Sequence, residues 1–75
     1  MGLNIMIRKR GTTFGRAAMR YYPDLGYQAA VRRFRREIRE TPGLLDALKA
    51  LGYEEHHRYL TPQEMSVIEE RLGEA

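Results

Sequence analysis

Three prolines set the scale of everything this chain can build. Pro23, Pro42 and Pro62 divide it into stretches too short for long helices, because proline lacks an amide donor and clashes with the preceding turn. Each also biases the residue before it away from helical backbone. What remains in 75 residues is a set of short helices joined by tight turns, in one domain spanning 1–75. A chain of this size buries about 60–65% of its unfolded surface. Such a core yields roughly 3–5 kcal/mol of net stability. There is no cysteine, so neither a disulfide nor a cysteine-ligated zinc site can add to it. With 43% hydrophobic and 31% charged residues the composition is that of an ordered domain rather than a disordered tail.

Apolar spacing and punctuation predict the elements. Asn4–Arg8, apolar in its middle, reads as a strand. A helix over 13–22 follows, capped by Thr12 or Thr13, with Phe14, Ala17, Ala18 and Tyr21 on its buried side. A turn through Asp24-Leu25-Gly26 leads to a helix over 27–40. Its apolar stripe is Tyr27, Ala30, Val31, Phe34 and Ile38. A third helix over 42–51 is expected to take Thr41 as cap and Pro42 at its first position. It would place Leu44, Leu45, Leu48 and Leu51 inward and stop at Gly52. Arg58-Tyr59-Leu60 is a candidate extended segment, with the 4–8 strand as its partner. The plainest local signal is Thr61-Pro62-Gln63-Glu64, a capping box that opens a helix over 62–72. Met65, Ile68 and Leu72 are its inward positions and Gly73 its stop. Ile5, Ile7, Tyr53 and Leu60 complete the expected core. The fold class is therefore mainly α: a small four-helix single domain with a helix-turn-helix-like N-terminal half and a minimal two-stranded β pair.

The net charge of +3 conceals a polarised chain. Residues 1–40 carry ten Lys/Arg against three Asp/Glu, whereas residues 41–75 carry three against seven. Eleven of the basic residues are arginine and two are lysine. Arginine's planar fork pairs bidentately with phosphate or guanine edges, which a lysine point charge cannot do. In the second helix Arg32, Arg35, Arg36 and Arg39 fall on the expected solvent side, and Arg16 and Arg20 lie four apart on the first. A short helix, a turn and a longer basic helix is the shape in which the second helix enters the major groove. We therefore expect nucleic-acid binding, DNA over RNA and regulatory in role. Arg32, Arg35, Arg36 and Arg39 would meet the nucleic acid, with Arg8, Lys9 and Arg10 on phosphates and Arg16 and Arg20 as further nucleic-acid-binding residues. Of the side chains that usually read base edges, the second helix offers only Gln28, so its face suits phosphate contact. Tyr22 and Tyr27 near the turn are candidates for base stacking, although Tyr27 also fits the core stripe. The competing expectation is a protein-interaction module whose basic face docks an acidic partner or a second copy of the chain.

Other chemistries find little support. Glu54-Glu55-His56-His57 lacks a well-spaced third ligand for a metal. Ser66 is the sole serine and Asp24 and Asp46 the sole aspartates, so no nucleophile–base–orienter set can be drawn and no enzyme is expected. No cofactor is implied. No apolar run approaches a membrane span, and the apolar side of the basic helix is needed for the core rather than for a lipid surface. Gly2–Ile7 is too short for a signal-peptide core, so the expected location is cytoplasmic.

The spaced residues Ala18, Tyr21-Tyr22-Pro23, Ala30, Arg33-Phe34, Leu44-Leu45, Gly52-Tyr53, Leu60-Thr61-Pro62-Gln63 and Leu72-Gly73-Glu74 carry a resemblance. Over about residues 5 to 74 the chain resembles a family of short uncharacterised proteins, a domain of unknown function common in Bacteroides-type bacteria. The resemblance implies a helical domain with a helix-turn-helix-like start and supplies no catalytic or ligand residue. The family often has tryptophan at the position of Phe34 and fewer arginines in that helix, so the arginine cluster is a feature of this chain.

Overall fold

The structure, a computed structural model, describes residues 11–54 and 58–74. The strand expected over 4–8, core positions Ile5 and Ile7, basic residues Arg8, Lys9 and Arg10, and Glu55-His56-His57 lie outside them. Among the described residues the order is β1 (Thr12–Thr13), α1 (Phe14–Tyr21), α2 (Tyr27–Glu40), α3 (Leu44–Ala50), β2 (Tyr59–Leu60) and α4 (Pro62–Leu72). This is a mainly α domain of four helices with one small antiparallel pair, as the sequence pattern predicts.

The expected extended segment forms as Tyr59–Leu60, and among the described residues it pairs with Thr12–Thr13, Thr12 opposite Leu60 and Thr13 opposite Tyr59, while the expected 4–8 partner lies outside them. β-Branched threonines suit extended backbone. Thr13 then turns the chain into α1. It keeps extended dihedrals, and its hydroxyl accepts from the Arg16 amide at 3.1 Å, which caps the helix. The Phe14 amide donates to the Arg58 carbonyl, so strand pair and helix start are locked to each other. α1 ends at Tyr21 because Pro23 follows: Tyr22 has already left the helix, at φ −131° and ψ 65°.

α3 departs from expectation at both ends. Thr41 does not cap it. The Thr41 hydroxyl donates back to the Glu37 carbonyl at 2.7 Å and so closes α2. Gly43 then takes a left-handed conformation, φ 78°, and α3 begins only at Leu44. The turn is tied from outside by Arg71 of α4, whose Nη1 donates to the Pro42 carbonyl at 2.8 Å. At the other end Gly52, φ 96°, sits in a Schellman reversal, with the Gly52 amide donating to Lys49 and the Tyr53 amide to Leu48. The reversal turns Leu51 outward, 42% exposed, and brings Tyr53 inward, 4% exposed, so Leu51 leaves the expected core.

The capping box of α4 closes as its sequence requires. The Thr61 amide donates to Glu64 Oε1 at 2.8 Å, and the Glu64 amide donates to Thr61 Oγ1 at 3.2 Å. That reciprocal pairing lets the Glu64 carboxylate lie buried, an arrangement an unpaired carboxylate would not tolerate. Beyond the helix, the Tyr21 hydroxyl donates to the Gly73 carbonyl at 2.6 Å and joins the ends of α1 and α4.

Phe34 is the centre of the core. It is fully buried, with ring centroids of Phe14 at 4.9 Å, Tyr21 at 5.3 Å and Tyr22 at 6.4 Å. Ile38, Leu44, Leu48, Leu60 and Ile68 are buried alongside, and Tyr21, Val31, Leu45 and Leu72 close the edges half-buried. Tyr27, first residue of α2, drops out of the apolar stripe and is 61% exposed. It stands beyond the end of the packed layer, with its hydroxyl end against Gly15 of α1.

Candidate nucleic-acid interface

Helical geometry sorts the arginines of α2 into three environments. With a turn every 3.6 residues, Ala30, Phe34 and Ile38 mark the buried side. Arg32, Arg36 and Arg39, at i, i+4 and i+7, lie opposite them and are exposed. They form a row about 10 Å long at 1.5 Å per residue. Among the described residues none of them makes an ion pair or a side-chain hydrogen bond, and all three are exposed.

Arg35, expected on the same solvent side, is not there. It sits a quarter-turn nearer the core, half-buried, with its guanidinium carbon 5.0 Å from the centroid of the Phe14 ring. Its Nε is buried and makes no hydrogen bond. A cation over an aromatic face contributes about 0.5–2 kcal/mol. Arg35 is thus a clamp between α2 and the start of α1.

Arg33 is held on the other flank. Its Nε donates to Glu37 Oε2 at 3.1 Å, an i,i+4 pair, and its guanidinium carbon lies 5.3 Å from the Tyr22 ring centroid. Arg36 and Glu40, at the same spacing, form no ion pair. Burial, then the nearby Glu37 carboxylate, push the Tyr22 hydroxyl above its ordinary range, while Arg33 opposes them. Burial and Glu69 raise Tyr21 in the same way. Both hydroxyls therefore stay protonated donors at neutral pH.

Arg16 and Arg20 are exposed on the outer side of α1, four residues apart as the sequence suggests. Arg8, Lys9 and Arg10 lie outside the described residues. Two exposed residues at β2 escaped the sequence reading: Arg58, just before the strand, and Tyr59 within it, 54% exposed. The alternation in Arg58-Tyr59-Leu60 was the available signal, since an extended backbone that buries Leu60 must turn Tyr59 outward. No group of three or more His, Cys, Asp or Glu that could hold a metal occurs among the described residues. No helix of the described residues is long and apolar enough to cross a membrane.

Fold and surface together define a small mainly α domain whose longest helix turns a row of arginines to solvent. The chain belongs to the family described as Domain of unknown function (DUF4248), whose model matches residues 8–74. That stretch holds the Tyr22-Pro23, Gly52-Tyr53 and Leu60-Thr61-Pro62-Gln63 motifs. No match was found among curated proteins or among solved structures.

Proposed function

We propose that this is a small DNA-binding protein of regulatory type, in which α1, the turn at 22–26 and α2 act as a helix-turn-helix-like unit. The observation that carries the reading is the exposed row Arg32, Arg36 and Arg39 on the outer side of α2, without an ion pair among the described residues. Arginines spaced by one and two turns on a helix of this length suit phosphates flanking a groove or guanine edges within it. Arg16 and Arg20 extend the basic surface to α1, and Arg8, Lys9 and Arg10 would add phosphate contacts from the N-terminal segment. Arg35 stays on Phe14 and supports the helix pair instead of meeting the ligand.

The test is the salt dependence of binding to a mixed-sequence duplex, read by fluorescence anisotropy. Replacing Arg32, Arg36 and Arg39 by alanine should reduce the slope of log K against log salt by about 2.7, at roughly 0.9 per lost phosphate contact. Absence of any salt-dependent binding at micromolar protein near ~50 mM salt, where even non-specific binders register, refutes the reading. The second reading, a module that docks an acidic partner or another copy of itself, rests on Asp46, Glu70 and Glu74, which are exposed in the acidic half. Self-association that dissolves with salt, in sedimentation runs free of nucleic acid, would favour it.

A further inference from the structure

Two tyrosine rings stand out of the surface beside the start of α1. Tyr27 is 61% exposed and Tyr59 is 54% exposed. Each rests its hydroxyl end on a glycine where a Cβ would collide with it: Tyr27 on Gly15, and Tyr59 on Gly11. These glycines bracket Thr12-Thr13-Phe14, so the rings flank one short segment. The Arg35 guanidinium lies over the ring of Phe14, within that segment. Arg16 follows Gly15 and Arg58 precedes Tyr59, and both are exposed. Of the arginines in the three stretches that meet here, 11–20, 27–36 and 58–63, Arg16, Arg20, Arg32, Arg36 and Arg58 are exposed and form no ion pair among the described residues, while Arg33 is paired with Glu37.

A lone exposed tyrosine calls for no explanation. Two of them, seated on glycines beside the exposed Arg16 and Arg58, combine what a single strand requires: stacking rings and cations along its backbone. In a duplex the base faces are already stacked and closed to such rings, whereas an unpaired base offers a face. α2 itself is poor in side chains that read base edges, with Gln28 as the one amide. We infer that the preferred ligand is nucleic acid in single-stranded form, with Tyr27 and Tyr59 stacking on unpaired bases and the neighbouring arginines on phosphates. This inference rests on the nucleic-acid reading above and specifies the state of the strand.

The experiment uses the full chain with a labelled oligothymidylate of about 20 nucleotides and, separately, a duplex of similar length, both near ~50 mM salt. Tyr27→Leu and Tyr59→Leu are compared with Tyr27→Phe and Tyr59→Phe, with thermal melts confirming that each variant folds. The expected result is tighter binding to the single strand, about tenfold loss for each leucine variant, near-parental binding for the phenylalanine variants, and duplex affinity unchanged throughout. Leucine variants that hold oligothymidylate as well as the parent overturn the inference, as does a parent that prefers the duplex. Either outcome leaves nucleic-acid binding standing. A parent that binds oligothymidylate but not the duplex refutes the helix-turn-helix reading and supports the single-strand inference, whereas failure to bind either probe refutes both.

Discussion

Phe34 offers the sharpest check on how this domain is held together. The ring is fully buried and meets three other aromatic rings, from Phe14 and Tyr21 in α1 and from Tyr22 in the turn. Truncation to alanine removes the side chain and leaves a cavity, and such changes cost about 3–5 kcal/mol. The aromatic pairs add about 0.5–1.5 kcal/mol each beyond their buried area, which places this site toward the upper end of that range. A domain of this size has roughly 3–5 kcal/mol in total. Phe34→Ala should therefore be largely unfolded at room temperature. Phe34→Leu keeps most of the volume and loses only ring geometry, a cost of about 1–1.5 kcal/mol. At about 4–8 °C per kcal/mol, that leaves a folded protein melting some 5–10 °C below the parent. Far-UV circular dichroism against temperature reads both. The reasoning fails if Phe34→Ala melts cooperatively within about 5 °C of the parent, for then the core would not be organised around this ring.

Further outcomes concern the tertiary ties. Gly43→Ala forces an alanine into left-handed backbone at φ 78° and sets its Cβ 3.0 Å from Arg71 Nη1, the group that holds the Pro42 carbonyl. The left-handed penalty of about 1–2 kcal/mol predicts a melting point lower by roughly 5–15 °C. For Tyr21, burial first and Glu69 second lift the hydroxyl above its ordinary value of 10.0. A raised folded-state value means that its contribution is complete below pH ~10 and is lost as pH climbs through the higher value, because ionisation destroys the donor to Gly73. Urea midpoints taken across this alkaline range should fall for the parent. Tyr21→Phe should start about 0.5–1.5 kcal/mol lower and show a flatter alkaline limb.

The candidate site was legible only in outline. A 3.6-residue wheel separates Arg32, Arg36 and Arg39 from Phe34 without any coordinates, because helix geometry alone sets their angle. Arg35 stands at the boundary of that wheel, where a long flexible side chain can go either way. The Phe14 ring that draws it inward belongs to another helix, twenty-one residues earlier in the chain. Tyr27 failed for the converse reason: its position fits the apolar stripe, but no layer lies above the first turn of α2 to cover it.

Sequence by itself determined the punctuation of this protein and the polarity of its chain. Proline, glycine and the Thr61-Pro62-Gln63-Glu64 box act through backbone sterics and hydrogen bonds within a few residues, so their effects need no partner. The family motifs and the concentration of arginine in the first half are local in the same sense. Tertiary structure decided what depends on distant neighbours. Thr12–Thr13 meets Tyr59–Leu60, Arg71 secures the Pro42 turn, and Arg35 leaves the basic face for Phe14. Each joins groups far apart in sequence or depends on which elements pack above it, and spacing along the chain encodes neither.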